Sequence, residues 1–283
     1  MSPPTEIRIA AVQMEPRIGE VARNLDSILS GVGEAAQANA KLIVFPECAL
    51  TGYGFESREE ALPFAEAFDG PAASRIASEC RRLRVWIIFG FLESAADQLY
   101  NACLLIGPEG PVASYRKIHL PFLGIDRFAD PGDRDFEVLD AGGVKVGMYI
   151  CYDGAFPETA RVLTLLGAEL LVLPTNWPTH SECAAEHMIA TRAMENVVYS
   201  MAVNRVGEER GFRFIGRSSI AAPSGQILAI ASPDREEIIY ADVEPAKARQ
   251  KRLIRVPGKH EIDRIADRRP RFYAPITALN GKF

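Results

Sequence analysis

Short apolar runs alternate with helical periodicity from the start of the chain, and this alternation constrains the fold more than any other feature. Ile7 to Met14 reads as a strand. Val21, Leu25, Ile28, Leu29, Val32 and Ala36 then fall on one helix face, and Leu42-Ile43-Val44-Phe45 is a short buried strand stopped by Pro46. A strand, helix, strand unit implies a parallel pair joined by a crossover helix. Further strands are predicted over Val85 to Leu92, Ala102 to Ile106 and Val112 to Tyr115, with turns at Glu93-Ser94-Ala95 and Gly107-Pro108-Glu109-Gly110. The second half repeats the pattern. Val144 to Ile150 and Leu170 to Leu173 read as strands around a helix whose apolar face is Val162, Leu163, Leu165 and Leu166. Cys183 to Asn196 has helical character, and Val198 to Asn204, Ser219 to Ala222, Ile227 to Ile230 and Ile238 to Val243 follow as strands. Periodicity alone therefore predicts an α/β fold. No composition break divides the chain, which predicts one domain over residues 1–283. The polar, Arg-rich tail from about His260 is expected to wrap the domain or a partner subunit.

Composition narrows the function classes. With 48% hydrophobic and 24% charged residues, the 283-residue chain is neither disordered nor fibrous. The net charge of −5 comes with no long basic block, and Arg81-Arg82-Leu83-Arg84 and Asp267-Arg268-Arg269-Pro270-Arg271 read as solvated faces, so no nucleic-acid partner is expected. The five cysteines, at 48, 80, 103, 151 and 183, are odd in number and form no CxxC pair. Neither a disulfide framework nor a zinc knuckle is indicated. The first residues lack a basic region followed by an apolar one, and no apolar run reaches the roughly 20 residues that span a bilayer. A reduced, cytoplasmic protein with no membrane partner is expected. Gly52-Tyr53-Gly54-Phe55 fits no phosphate-loop fingerprint.

Three segments carry chemistry. In Val44-Phe45-Pro46-Glu47 the strand end puts Glu47 at the sheet edge where α/β proteins gather ligands; alone it would read as a loop carboxylate. In Tyr115-Arg116-Lys117-Ile118-His119-Leu120-Pro121, Lys117 follows a strand among apolar neighbours, and a lysine held near an acid is a donor for a developing oxyanion. His119, two residues on, has no assigned direction if the segment is a loop. In Gly147-Met148-Tyr149-Ile150-Cys151-Tyr152-Asp153-Gly154 an apolar strand runs into a cysteine, a turn and a helix from about Pro157, the arrangement that presents a nucleophile at a tight elbow. A buried core cysteine is the plain alternative. Together, Glu47, Lys117 and Cys151 each end a predicted strand, and they converge if those ends share one edge.

With these motifs the sequence resembles the nitrilase superfamily of carbon–nitrogen hydrolases over nearly its whole length. The resemblance rests on Ala11-Val12-Gln13-Met14, Phe45-Pro46-Glu47, Tyr115-Arg116-Lys117-Ile118-His119-Leu120, Pro131-Gly132-Asp133 and Ile150-Cys151-Tyr152-Asp153. It continues through Phe156-Pro157-Glu158, Arg161, Pro174-Thr175-Asn176-Trp177, Arg192-Ala193-Met194-Glu195-Asn196 and Asn204-Arg205. It implies a four-layer αββα sandwich of two mixed sheets with helices on the outer faces. A catalytic Glu-Lys-Cys set carries over to Glu47, Lys117 and Cys151. No metal or organic cofactor is implied. A homo-oligomer, dimer or higher, is, built through the outer helices and an exchanged C-terminal tail. Many members have a second glutamate before the Pro-Gly-Asp segment. Here Leu123 to Asp130 contains none, and Asp126, one methylene shorter, is the stand-in.

The resemblance further implies acyl transfer through a thioester. Cys151 would attack, Glu47 would act as general base, and Lys117 with the backbone N–H of Tyr152 would stabilise the oxyanion. Cys151-Tyr152-Asp153 followed by Phe156-Pro157-Glu158 looks more like the amidase branches than the Cys-Trp-Glu of true nitrilases. The expected reaction cleaves a non-peptide C–N bond of a small amide to a carboxylic acid and ammonia. N-carbamoyl-amide hydrolysis, nitrile hydrolysis, acyl transfer and a catalytically silent binding protein are the alternatives. Tyr53, Phe122 and Trp177 are the expected pocket walls, with Asn176 a polar contact to substrate.

Overall fold

The computed structural model describes residues 5–278. Its first sheet has six strands in the order β14-β1-β2-β3-β4-β5. These are β1 (Ile7–Gln13), β2 (Leu42–Val44), β3 (Trp86–Ala95), β4 (Gln98–Gly107), β5 (Gly110–Arg116) and β14 (Glu237–Val243). The second, in the order β13-β12-β9-β8-β7-β6, contains β6 (Val138–Asp140), β7 (Lys145–Met148), β8 (Leu170–Pro174), β9 (Tyr199–Val203), β12 (Ser219–Ala221) and β13 (Ile227–Ile230). Two small hairpins, β10 (Glu208–Glu209) with β11 (Phe212–Arg213) and β15 (Arg252–Val256) with β16 (His260–Asp263), stand apart. Both sheets are mixed: β1-β2-β3 and β7-β8-β9 run parallel, and the flanking strands are antiparallel.

Strand alternation builds the layers. Ala10, Val12, Ile43, Phe45, Ile87, Phe89 and Leu104 face α1 (Val21–Gln37) and α3 (Pro71–Leu83), with the short α2 (Arg58–Ala61) between them in the chain. The intervening residues, Ile9, Ala11, Leu42, Val44, Ile88 and Leu105, share a core with Val146, Met148, Leu170, Val172 and Met201 of the second sheet. Because side chains alternate with a period of two, one set of strands can serve two cores. Ala160 and Leu163 of α4 (Pro157–Leu165) and Ile189 and Ala193 of α5 (Ile189–Asn196) cover the far side. The order helix, sheet, sheet, helix matches the expected αββα sandwich.

Several expectations change in detail. Glu93-Ser94-Ala95 lies in β3, and the turn falls at Ala96, whose φ of +53° reverses the chain into β4. Helix α3 has no counterpart among the expected elements, because small residues, Ala72, Ala73 and Ala77, make up most of its buried face. Cys183 to Asn196 is a π-turn over Ala184–Met188 running into α5. On α4 only Leu163 of the expected apolar face is buried; Val162, Leu165 and Leu166 are exposed. The tail from His260 begins as β16 and lies along its own chain, with Arg264 donating to the Met194 carbonyl at 2.7 Å.

The β2–Glu47 connection crosses β3 at Gly90, whose N–H donates to the Pro46 carbonyl at 3.0 Å. A Cβ there would lie 2.5 Å from Pro46 O and 2.6 Å from Glu47 Cα. Gly90→Ala is therefore expected to cost about 1–3 kcal/mol by overpacking, read as a lower Tm. Because the displaced backbone carries Glu47, turnover should fall as well, which an exposed-surface substitution used as control would not show.

Candidate active site

Every expected catalytic position sits at one edge of the sandwich. Glu47 follows the C-terminal end of β2, Lys117 that of β5 and Cys151 follows β7; β4, which runs opposite, brings Asn101 in its N-terminal half to the same edge. The first sheet thus supplies Glu47, Lys117 and Asn101, and the second supplies Cys151 and Asn176.

Glu47, Lys117 and Asp126 are fully or almost fully buried. Lys117 Nζ donates to Glu47 Oε1 at 2.7 Å and to Asp126 Oδ2 at 2.6 Å. Asn101 Nδ2 donates to Glu47 Oε1 at 2.7 Å and to Asp126 Oδ1 at 2.8 Å, and the Tyr53 hydroxyl donates to Asp126 Oδ2 at 2.8 Å. Asp126 thus reaches the cluster despite its shorter side chain. It does so on the one-turn 3-10 helix Gly124–Arg127. Gly124, at φ +48°, brings that turn close: a Cβ there would press into the Tyr53 ring, 2.7 Å from Cδ1.

One ammonium cannot neutralise two carboxylates. Burial, opposed by Lys117 but seconded by Asp126, leaves Glu47 above the usual carboxylate range. Burial pulls Lys117 down, yet Asp126 and Glu47 together hold its pKa well above the ordinary lysine value, so it stays charged. Lys117 has three N–H donors, of which two are taken by these carboxylates. Glu47 Oε2 is buried and has no hydrogen-bond partner among the described residues, whereas Oε1 accepts twice.

Cys151 opens the 3-10 turn Cys151–Ala155 with φ +43°, the left-handed region that few non-glycine residues adopt. It is 8% exposed. Burial and then the Glu47 carboxylate push its thiol up to about 12, against Lys117. Burial and the Glu47 charge thus both favour the thiol over the thiolate at rest. The N–H of Tyr152 lies in the first turn after Cys151, where helix geometry provides no internal acceptor. Its side chain is 42% exposed and meets Phe156 edge-on.

The expected pocket residues divide. Tyr53 is buried, with Lys117 Nζ 5.9 Å from its ring centre. Asn176 is buried with both side-chain amide atoms unpartnered among the described residues. Trp177 is buried in the large core cluster that includes both sheets, and its backbone N–H donates to Asn204 Oδ1 at 2.8 Å. Phe122 does not join them. It is 91% exposed, because Leu123 N–H closes a tight turn onto the Pro121 carbonyl at 2.8 Å and sends the ring outward. There it lines a surface cavity of about 230 Å³ with Arg127, Arg210 and Phe212. Asn101 escaped the sequence reading. Its only signal was an amide inside the otherwise apolar run Leu99 to Ile106.

Residues 8–253 match the carbon–nitrogen hydrolase family. The chain belongs to that family. It is 39% identical to a nitrilase of Pyrococcus abyssi over 94% of this chain and 99% of the relative. It is 33% identical to an (R)-stereoselective amidase of a Pseudomonas species over 93% and 92%. The fold is similar to that of the amidase from Nesterenkonia sp. AN1, with a TM-score of 0.79 at 24% identity over 97% of this chain and 99% of that one. The protein is thus a nitrilase-superfamily hydrolase of C–N bonds, and amide hydrolysis is the activity its relatives support.

Asn101 lowers Glu47 by donating to its charged form. Replacing it with Ala leaves two buried acceptors short of a donor, a loss of about 1–3 kcal/mol. The pKa of Glu47 should then rise further, so with Glu47 as the expected general base the acid limb of kcat/KM is expected to move to higher pH. An unmoved limb in Asn101→Ala would separate Asn101 from the Glu47 titration.

Proposed function

We propose that this hydrolase converts a small amide to a carboxylic acid and ammonia through a thioester on Cys151. The observation that carries the reading is the unpartnered, buried Glu47 Oε2 beside a thiol that burial keeps protonated. Such a thiol needs a base in place, and Glu47, raised above the usual carboxylate range, is tuned toward that task.

In the first step Cys151 Sγ bonds to the amide carbon while its proton passes to Glu47. The carbonyl oxygen, now negative, takes the third donor of Lys117 and the Tyr152 N–H. Collapse of the adduct breaks the C–N bond, and the proton on Glu47 leaves with the amine as ammonia. A water molecule then gives a proton to Glu47 and attacks the thioester. The acid departs and Cys151 recovers its proton from Glu47. Asp126 keeps Lys117 charged throughout and touches no reacting atom. Asn176, with donor and acceptor both open, is the polar contact to the substrate, and Tyr53 and Trp177 are the walls.

The mixed naming of the relatives, nitrilase and amidase, keeps nitriles and N-carbamoyl amides among the substrates to be compared. Cys151→Ala is expected to release no ammonia from any member of a panel of aliphatic amides, ω-amides, carbamoyl amino acids and nitriles, while keeping its circular dichroism. Glu47→Gln should lose about 10²–10⁴-fold in kcat. With a good amide, the wild-type enzyme should show an intact mass increased by the substrate less ammonia. Undiminished turnover in Cys151→Ala would end the thioester reading.

The exposed Val162 and Leu165 on α4, with Leu166 just beyond it, support the reading of a homo-oligomer. Light scattering after size exclusion is expected to give a multiple of 31.1 kDa. A single-chain mass would count against it.

A further inference from the structure

His119 and Asp153 take no part in the proposed chemistry, yet they lie two residues beyond Lys117 and Cys151 respectively. Asp153 is completely buried, and its carboxylate accepts four hydrogen bonds from three residues in two segments. Oδ2 takes the Ile150 N–H at 3.0 Å and the Tyr115 hydroxyl at 2.8 Å. Oδ1 takes the His119 N–H at 3.0 Å and meets His119 Nδ1 at 2.7 Å. Ile150 precedes the nucleophile in the second sheet, whereas Tyr115 and His119 bracket Lys117 at the end of β5 in the first. The His119 ring lies flat on Phe156, the residue that ends the Cys151 turn, with 3.7 Å between ring centres.

The geometry points to Asp153 and His119 as positioning residues that clamp the oxyanion-binding lysine to the nucleophile elbow across the seam between the sheets. Two facts make the clamp necessary. Cys151 holds a left-handed backbone that persists only where its surroundings over-determine it, and Asp153 closes the turn from inside by accepting the Ile150 N–H. Lys117 and Cys151 also come from different sheets, so packing alone must fix their separation unless a polar tie spans the gap. The Asp153 carboxylate is such a tie. With Ile150 N–H on one oxygen and His119 on the other, moving either segment breaks bonds to a buried charge. The His119 tautomer that fits carries its proton on Nδ1 and donates to Oδ1.

This inference rests on the proposed roles of Lys117 and Cys151, and its test separates the two. Asp153→Asn places an NH₂ where an oxygen accepts and risks misfolding, so the decisive variants are at the partly exposed His119. His119→Ala removes the Nδ1 donor and the Phe156 stack but keeps the backbone N–H. His119→Asn restores a donor near the Nδ1 position. A misplacement of the reacting groups costs up to about 10²-fold in rate, so His119→Ala is expected to lower kcat and kcat/KM together by about 10–100-fold with KM little changed. His119→Asn should recover most of that loss, whether or not the two variants share a Tm. A His119→Ala enzyme as fast as wild type, or an Asn variant as slow as the Ala variant, overturns the clamp. Cys151→Ala is assayed alongside. If it stays active, the thioester reading fails; if it is inactive while His119→Ala is undiminished, only the clamp fails.

Discussion

The structure is organised around one lysine ammonium held away from water between two carboxylates. Placing Glu47, Lys117 and Asp126 together underground is costly, because each charge gives up its hydration. The arrangement persists because most of the remaining lone pairs find donors, Asn101 serving both carboxylates and Tyr53 serving Asp126, with Glu47 Oε2 the exception. Removing a single partner from such a group leaves an uncompensated buried charge, typically a loss of about 3–5 kcal/mol. The participants come from the ends of β2, β4 and β5 and from the Gly124 turn. The cluster therefore exists only when the first sheet and its edge loops have closed over it. Cys48, beside Glu47, joins the same network through its thiol, 3.5 Å from Asn101 Oδ1, which accounts for a second thiol at the site without giving it chemistry.

The imbalance of charge, two acids to one base, has a chemical use. A lone buried carboxylate paired one-to-one with lysine would be a poor base, since the ion pair would hold it deprotonated and weakly basic. The second carboxylate shares the lysine and raises Glu47, while Lys117 remains cationic, as its proposed role toward an oxyanion requires. Asp126 fulfils this with a side chain one methylene shorter than the glutamate of many superfamily members, because the Gly124 turn brings its backbone inward.

Much of this was legible in the sequence, and the illegible parts have physical reasons. The unit β1, α1, β2 was readable because Ile7–Gln13 and Leu42–Val44 are buried on both faces and α1 carries a single apolar stripe. Glu47, Lys117 and Cys151 stood out because each ends an apolar run. Helix α3 did not, since alanines bury little area and leave a weak period. Phe122 misled because an aromatic ring beside a catalytic lysine suggests a wall, whereas its direction depends on one local turn. Asn101, an amide in an apolar run, and Asp153, a turn residue after Cys151, carry little local information about their roles. Their meaning lies in the partners that converge on them, from residues 47 and 126 in one case and 115, 119 and 150 in the other.

The ownership of the site by two sheets has a mechanical consequence. The first sheet carries Glu47 and Lys117, the proposed base and one oxyanion donor, and the second carries Cys151 and the Tyr152 N–H; the inter-sheet core between them, including the Cys103–Met148 contact at 3.9 Å, helps set their separation. A shear of one sheet over the other would change the separation of Cys151 from Lys117 without altering a single residue of the site. That separation therefore belongs as much to side chains deep between the layers, such as Cys103 and Met148, as to the residues at the edge.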